Sequence, residues 1–350
     1  MQREILITGI GSMPHRKPQD AVDLIFKYMP YIPFWPQLPQ RDIREGMCFQ
    51  FSEGFSFLKE GLIYDRNSSE KELQDFYYHI INEDIDYFKI SPDFAAGLYC
   101  FYERLKRVDL GNIRFIKTQI TGPFTFMAAI KDKEGNLVLQ DNILREAVVE
   151  GLIRKALWQM KFFKEFGKKI IIFFDEPYLS GFGSAYIPLN REEIIMVLSY
   201  TFDKFKELVF KKNILSCNEI LVGVHCCGNT DWSIFTEVSS LDIISFDAFS
   251  FGDKLSLYSD NLKDFLIKGG FLCWGIFPTI EFDNKINKHF ILDRLNYILD
   301  NFLKKGLSRK LILDNSILSP SCGLGKLDEN MAQKIFSLIS EFSQLLSDID

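Results

Sequence analysis

A histidine and two cysteines stand side by side in the stretch VGVHCCGNTD, residues 222–231. His225 and Cys227 are two positions apart at the end of a strand-like run, so their side chains point the same way if the strand alternation continues. Cys226 would then point to the other face, where a small buried hydrophobe fits. Imidazole and thiolate groups are typical zinc ligands, but a single His-x-Cys is by itself a weak predictor of a metal site.

A third ligand-type residue, Cys322, follows the last strand-like run of the chain. In a closed barrel of parallel strands it can approach the end of the fifth strand across the barrel mouth. One imidazole and two thiolates form a tripod suited to zinc, with a fourth position open to a substrate thiol. A free thiol has a pKa of about 8.5 and is therefore mostly protonated at neutral pH. Coordination to zinc would allow it to ionise there. The three residues therefore predict attack by a thiol on an electrophile such as a methyl group.

The elements that must position these residues are strand-like runs alternating with helical patterns, which is typical of parallel α/β architecture. The strand-like runs are 5–11, 32–38, 113–121, 169–175, 220–225, 243–247, 271–276 and 317–321, and the clearest helical patterns are 18–28, 144–166, 191–211, 292–304 and 330–346. Pro33 and Pro36 make the second run short or irregular, and Lys117 with Arg114 interrupts the third. We therefore expect a (β/α)8 TIM barrel, with a doubly wound open sheet as the alternative.

The length of 350 residues fits one TIM-barrel domain, 1–350, enlarged by an insertion. Residues 39–112 are too many for one loop, so we expect a helical cap there, near the barrel mouth.

Composition excludes several functional classes. The formal charge is −6 and no basic stripe is present, which argues against nucleic-acid binding. The chain has no run of 18 or more apolar residues, so no membrane span is expected. The first residues are charged and lack the apolar core of a signal peptide, and seven cysteines, an odd number, favour a reducing compartment. We therefore expect a cytoplasmic protein.

Four blocks in the chain resemble the C-terminal catalytic barrel of cobalamin-independent methionine synthase. They are ITGIGSMPH near the start, ITGPFTF at 120–126, IIIFFDEPYL at 170–179 and PSCGLG at 320–325. The stretch VHCCGNTD is similar to related zinc methyltransferases of the uroporphyrinogen decarboxylase superfamily. The blocks stand in the family's order and span nearly the whole chain.

This resemblance implies a zinc-dependent methyltransferase that methylates homocysteine to methionine. The implied zinc ligands are His225, Cys227 and Cys322. Where the family has a glutamate as a further ligand, this chain has Asp247, which is one methylene shorter, so it is either a fourth ligand or a contact of the ligands or substrate.

The resemblance also assigns the amino-acid end of the substrate to the backbone of Ile10, Gly11 and Ser12. Asp175, in the Asp-Glu-Pro block, would pair with the substrate ammonium group, although a strand-end carboxylate can also cap a turn.

Four further residues are candidates with structural alternatives. Glu53 could be a second substrate carboxylate or a solvated surface group, and Thr121 could line the pocket or form a turn. Trp274 could stack on a flat methyl donor or belong to the aromatic core. His15 could be a catalytic acid or base, or a structural hydrogen bonder.

The methyl donor is methyl-folate or a methyl-corrinoid, the latter bound to a partner corrinoid protein in one alternative. The full-length synthase has a second barrel that helps to bind methyl-folate, whereas this chain has one barrel's length of sequence. A methylcobalamin:coenzyme M-type methyltransferase is an alternative, as is a non-catalytic corrinoid- or metal-binding module. A decarboxylase is disfavoured because GSMPHRKPQD lacks the arginine-rich motif of that branch.

Overall fold

The computed structural model describes residues 5–59, 62–65, 69–137, 139, 141–184, 187–280, 282–283 and 285–349. The strands are β1 Leu6–Ile7, β2 Leu58–Lys59, β3 Ile63–Tyr64, β4 Phe115–Thr121, β5 Lys131–Asp132, β6 Lys169–Asp175, β7 Ile220–Cys226, β8 Ile243–Phe246, β9 Phe271–Phe277 and β10 Ser316–Pro320. The helices are α1 Pro18–Tyr28, α2 Glu70–Ile81, α3 Ala96–Leu105, α4 Pro123–Ala129, α5 Asn142–Phe163, α6 Arg191–Lys211, α7 Ser233–Glu237, α8 Ala248–Leu255, α9 Ser259–Ile267, α10 Lys288–Leu303, α11 Arg309–Asp314 and α12 Glu329–Ile349.

Seven strands form one curled parallel sheet in the order β1-β10-β9-β8-β7-β6-β4. Side-chain caps set the helix starts on its flanks: the Asp141 carboxylate accepts the Ile143 amide at α5, and the Asn190 side chain accepts the Glu193 amide at α6. The prediction of a parallel α/β fold is confirmed. Within the described residues, no helix is both long and apolar enough to cross a bilayer.

The second predicted strand, 32–38, is not a regular strand in the structure. It forms single bridges instead, Ser12 with Gln37 and Phe34 with Lys117. The reason is that Pro33 and Pro36 have no N–H to donate to a ladder. This segment nevertheless contacts both edges of the sheet, because the Gln37 amide donates to Gly11 and the Lys117 amide donates to Pro33.

The predicted helical cap at 39–112 is only partly helical. It contains α2, α3 and short 3-10 turns, but also β2 and β3, which join β5 in a second, three-stranded sheet. The middle of the insertion packs on α5 through an aromatic cluster in which Phe55, Phe57 and Phe76 lie 5.1–5.8 Å apart between ring centroids, whereas α3 packs on α1. Among the described residues of the insertion, those that line the cavity at the mouth of the curled sheet are Pro39, Gln40, Glu45 and Met47.

The two faces of the curled sheet differ in chemistry. The outer face is packed against the helices by a large apolar cluster, whereas a small cluster that includes Ile171, Phe173, Ile243 and Ile317 fills the inner face. Nearer the carboxyl ends of the strands the inner face becomes polar, with Asp175, His225, Ser245 and Ser319 buried there. The polar residues therefore gather where a parallel sheet of this kind usually carries its site.

Candidate metal centre

Three ligand-type side chains meet at the carboxyl end of the sheet. His225 is the penultimate residue of β7, Cys227 directly follows that strand, and Cys322 lies two residues beyond β10. A ring nitrogen of His225 and the two sulfur atoms lie within 4.8 Å of one another. Two metal–sulfur bonds of about 2.3 Å each can span such a separation. Folding thus brings together the three residues that the sequence predicts as the metal tripod.

The His225 ring is held in one orientation by the neighbouring strand. Its Nδ1 atom lies 2.9 Å from the Ser245 hydroxyl on β8, which is paired with His225 in the sheet register. Its Nε2 atom is buried and has no hydrogen-bond partner among the described residues. An imidazole that is oriented through one nitrogen and has the other buried and unpartnered is well placed to bind a metal ion.

The two thiols of the tripod are electrostatically linked. A hydrogen bond from Cys227 lowers the pKa of Cys322, with His225 acting in the same direction, and the same hydrogen bond raises the pKa of Cys227. The Cys227 thiol thus favours the thiolate form of Cys322. A cation between the two sulfurs would displace the thiol protons, because metal ligation deprotonates both thiols.

Cys226 has a different environment from its neighbour. Its thiol is fully buried on the outer face, and burial raises its pKa to about 12. Its sulfur lies 3.6 Å from the carbonyl oxygen of Gly228. The alternation of side chains along β7 thus separates an inert cysteine from a ligand-type cysteine at adjacent positions.

Asp247 is not part of the three-residue group. Its carboxylate caps helix α8 by accepting the Ser250 amide at 2.8 Å. Burial raises its pKa, and the charges of His225 and Cys322 also act on it. The structure therefore places Asp247 beside the tripod with one oxygen committed to a helix start, so a fourth ligation by this carboxylate would have to use its other oxygen.

A cavity of about 810 Å³ opens above the tripod. It is lined by Ile10, Ser12, Gln37, Pro39, Gln40, Glu45, Met47, Asp175, Pro177, His225, Cys227, Thr279, Ile280, Cys322, Gly323, Gly325, Lys326 and Leu327. Its wall comes from the ends of β6, β7 and β10 together with the first turns of the insertion. This volume is in the range of sites for small molecules and cofactors.

Asp175 is one of two carboxylates among the described residues of the cavity lining; the other, Glu45, is paired with Arg41. Asp175 ends β6, pairs with His225 in the register, and is 2 % exposed. Burial raises its pKa to about 6, against the opposing charges of His225 and Lys117. Its Oδ1 atom is buried and unpartnered among the described residues. A buried carboxylate oxygen without a donor at a cavity wall is a candidate for binding a cationic or hydrogen-bonding ligand group.

Ile10 and Ser12, on either side of the buried Gly11, form another part of the cavity wall. Ser12 is tied to the loop after β10, since its carbonyl accepts the Leu324 amide and its hydroxyl accepts the Gly325 amide. The amides of Gly11 and Ser12 donate to no residue that the structure describes. A Cβ at position 323 would lie 2.1 Å from the Ser12 hydroxyl, so glycine is required for this close approach. The turn at residues 10–12 therefore holds, in a fixed backbone beside the cavity, two N–H groups that donate to no described residue.

Two predicted site residues lie away from the cavity lining. Glu53 accepts the Ser91 amide at 2.7 Å within the insertion. Thr121 is fully buried, and its hydroxyl donates to the carbonyl of Met47 at 2.7 Å. Glu53 thus stabilises the insertion internally, and Thr121 joins the insertion to β4; these contacts differ from the solvated glutamate and the turn expected as structural alternatives.

Trp274 and His15 also lie outside the lining. Trp274 points to the outer face, where its indole N–H donates to Ser316 at 2.9 Å and its ring packs on Phe246. Strand alternation explains this, because Cys273 occupies the inner face of β9. His15 is buried near the starts of α1 and α12, where burial lowers its pKa against the charges of Glu329 and Asp20.

Sequence reasoning did not single out Lys117, which the structure buries completely on the inner face of β4. In the sequence this lysine only marks an interruption of an apolar run. A lysine inside an otherwise buried strand is a usable signal, because such a residue is almost never fully buried without a partner.

Comparisons with known proteins give no family for this chain. No family model matches it, and no curated protein matches it. Among solved structures it is similar to the 3-keto-D-glucoside 4-epimerase of E. coli, with 9 % identity, a TM-score of 0.39, and coverage of 81 % of this chain and 99 % of that one. It is also similar to the catalytic domain of a Bacillus sp. JAMB-750 GH26 endo-beta-1,4-mannanase, with 13 % identity, a TM-score of 0.41, and coverage of 98 % and 93 %. Similarity at this level has no bearing on activity.

The chemistry of the donor set fits zinc. One imidazole and two thiolates are soft and borderline ligands, and three protein ligands leave a coordination position free, as in catalytic zinc sites. The unpartnered Nε2 of His225 and the neighbouring sulfur atoms of Cys227 and Cys322 are the donor atoms that would hold such an ion.

Proposed function

We propose that this chain is a zinc-dependent S-methyltransferase that methylates homocysteine to methionine. The observation that carries the proposal is the unpartnered Nε2 atom of His225, which lies in one group with the sulfur atoms of Cys227 and Cys322. The cavity at this group is also lined by Asp175, whose Oδ1 atom has no partner among the described residues. The four sequence blocks that resemble cobalamin-independent methionine synthase support the same function.

His225, Cys227 and Cys322 would hold the zinc. When bound, zinc would lower the pKa of a coordinated thiol and fix its sulfur. Ser245 holds the imidazole in place from the neighbouring strand. In the overall reaction the thiol loses its proton, a bond forms between sulfur and the methyl carbon, and the bond between methyl and donor breaks with its electron pair leaving on the donor.

The amino-acid end of homocysteine is accounted for by two features of the cavity. Asp175 offers a carboxylate oxygen to the substrate ammonium group, and the amides of Gly11 and Ser12 offer N–H donors to the substrate carboxylate. Together they favour a zwitterionic thiol over a simple one. Coenzyme M carries a sulfonate but no ammonium group, so it would leave the Asp175 carboxylate without a cationic partner, and this favours homocysteine over that alternative.

A decarboxylase of the same superfamily is less well supported. Binding a ligand with several carboxylates calls for several cations, and Lys326 is the single lysine or arginine among the described residues of the cavity lining. A methyl donor, either methyl-folate or a methyl-corrinoid, would enter through the open mouth above the tripod.

The proposal includes a finer view of the fold and of its location. We infer a (β/α)8 barrel in which segment 31–37 acts as an irregular eighth strand, because it hydrogen-bonds to both edges of the curled sheet. The cytoplasm remains the proposed compartment, consistent with seven free cysteines.

The test is a thiol titration of the zinc-loaded protein. Calorimetry in buffers of different ionisation enthalpy measures both the affinity for L-homocysteine and the number of protons released. We expect about one proton per homocysteine bound, because ligation deprotonates the thiol. Incubation with methylcobalamin or methyl-tetrahydrofolate should then yield methionine.

Cys226→Ser is the matched control, since it changes the adjacent cysteine on the outer face; it should retain zinc and proton release. Zinc binding without any response to homocysteine would rule out the methionine assignment. Failure to bind zinc at all would rule out the whole class.

A further inference from the structure

Lys117 is a buried cation close to the candidate site, with no role in the proposed function so far. Its side chain is 0 % exposed on the inner face of β4. Its Nζ atom donates to the carbonyl oxygen of Ile10 at 2.5 Å and to Oε1 of Gln119 at 3.3 Å, and it lies 4.5 Å from the centroid of the Phe173 ring. All three contacts are with neutral groups.

The buried ammonium group of Lys117 must be stabilised by its surroundings. Removing such a charge from water is unfavourable unless it is paired or well hydrogen-bonded. Burial lowers the pKa of Lys117 to about 8, while the nearby charges of Asp175 and Cys273 oppose that shift. The lysine therefore remains largely protonated at neutral pH, inside the sheet and below the cavity.

The strongest contact of Lys117 is with the turn that forms the cavity wall. The Ile10 carbonyl belongs to the peptide whose N–H is that of Gly11, and this N–H donates to no described residue. An ammonium bound to the carbonyl oxygen of a peptide polarises that peptide and strengthens its N–H as a donor. It also fixes the direction of the peptide plane.

We propose that Lys117 is a positioning residue for the substrate carboxylate, acting through the Ile10–Gly11 peptide. By donating a hydrogen bond to the Ile10 carbonyl oxygen, it orients the amides of Gly11 and Ser12 toward an anion. Its charge also adds positive electrostatic potential beneath these amides. Lys117 thereby determines a preference for thiols that carry a carboxylate. This inference rests on the proposed function, which supplies the thiol and its zinc.

The test compares homocysteine with 3-mercaptopropylamine, which has the same thiol and ammonium groups and no carboxylate. In the zinc-loaded wild type we expect homocysteine to bind about tenfold or more tightly than the analogue, because of charge-assisted hydrogen bonds to its carboxylate. In Lys117→Met, homocysteine affinity should fall by about tenfold and analogue affinity by no more than about twofold, with zinc content unchanged. Lys117→Arg keeps the charge and should restore most of the preference.

An equal loss of affinity for both thiols in Lys117→Met would overturn the inference, since a general structural role predicts it. If that variant does not fold, nitrogen-15 spectra of the wild type decide: the Gly11 amide and the Lys117 ammonium signals should move with homocysteine and not with the analogue. Unchanged signals with homocysteine would also overturn it. Wild-type protein that binds zinc but neither thiol would instead refute the proposed function, and this inference with it.

Discussion

Two buried lysines in this molecule lie in similar chemical settings and lead to different interpretations. Lys117, on the inner face of the sheet, feels the charge of Asp175, and Lys155, on helix α5, feels the charge of Glu53. Both lysines are fully buried. Burial and opposite charge are therefore common to the two regions.

The two regions differ in whether their polar atoms have hydrogen-bond partners. Near Lys155, Glu53 accepts the Ser91 amide, and the lysine approaches the carbonyls of Phe88 and Lys89 at 3.5 and 3.4 Å. Near Lys117, Asp175 keeps a buried oxygen without a partner and faces an open cavity. A buried charge pair is therefore a better candidate for a functional site where polar atoms lack partners and face space that a ligand can enter.

The largest effect should come from the metal tripod itself. Replacing Cys227 or Cys322 by serine removes one of three protein ligands, so zinc affinity should fall by orders of magnitude. Metal analysis of the purified variants after dialysis measures this. Cys226→Ser is the control and should keep one zinc per chain; equal zinc loss in all three variants would mean that the cysteines act through folding and not through ligation.

The next effect separates the two carboxylates. Asp175→Asn removes the charge facing the cavity, so homocysteine affinity should fall by about 10- to 100-fold, with zinc retained. Glu53→Gln, in the satisfied region, should change that affinity by no more than about twofold. Calorimetric titration of both zinc-loaded variants makes the comparison, and similar losses in the two would erase the distinction drawn between the regions.

A third prediction concerns stability in the region of Lys155. Burial lowers the pKa of Lys155 to about 7, so between this value and its usual pKa the unfolded chain binds a proton that the native chain does not. The free energy of unfolding contributed by this residue must then rise with pH across that window, by at most about 1.4 kcal/mol for each pH unit.

Urea unfolding between pH 7 and pH 10 tests this sign. The stability of the wild type relative to Lys155→Met should increase with pH, while zinc and homocysteine binding stay the same in the variant. Lys161→Met, which changes a more exposed lysine on the same helix, is the control and should show no such trend. A relative stability that falls with pH would contradict the assignment.

The smallest effect should come from Trp274. Because its indole packs on the outer face and donates to Ser316, Trp274→Phe should lower the free energy of unfolding by about 1–3 kcal/mol. Homocysteine affinity should stay within about twofold of wild type. A large loss of homocysteine affinity with unchanged stability would contradict this and indicate that Trp274 contacts the substrate.

Much of the fold could be predicted from the sequence because buried parallel strands are continuous apolar runs. The prediction of 169–175 coincides with β6, and α1 and α6 begin and end where their patterns do. The second strand could not be predicted in detail, because its two prolines leave only single bridges and its position depends on both sheet edges at once. The insertion escaped prediction because β2 and β3 are two residues each, too short for a periodic pattern.

The site was predictable to the extent that strand alternation fixes direction. The two-residue spacing of His225 and Cys227 places both toward the inner face, and the same rule explains why Cys226 and Trp274 point outward. Lys117 could not be assigned a role from sequence, since its contact with the Ile10 carbonyl joins residues 107 positions apart in the chain. Asp247 shows a further limit, because its use as a helix cap depends on the exact start of α8.

The most direct test of the zinc site is X-ray absorption at the zinc edge, measured on the purified protein with and without homocysteine. For the proposed zinc site we expect two sulfur ligands at about 2.3 Å and at least one imidazole nitrogen in the free protein, rising to three sulfurs when homocysteine is added. A zinc shell made only of oxygen and nitrogen, or a sulfur count that does not change with homocysteine, would contradict it.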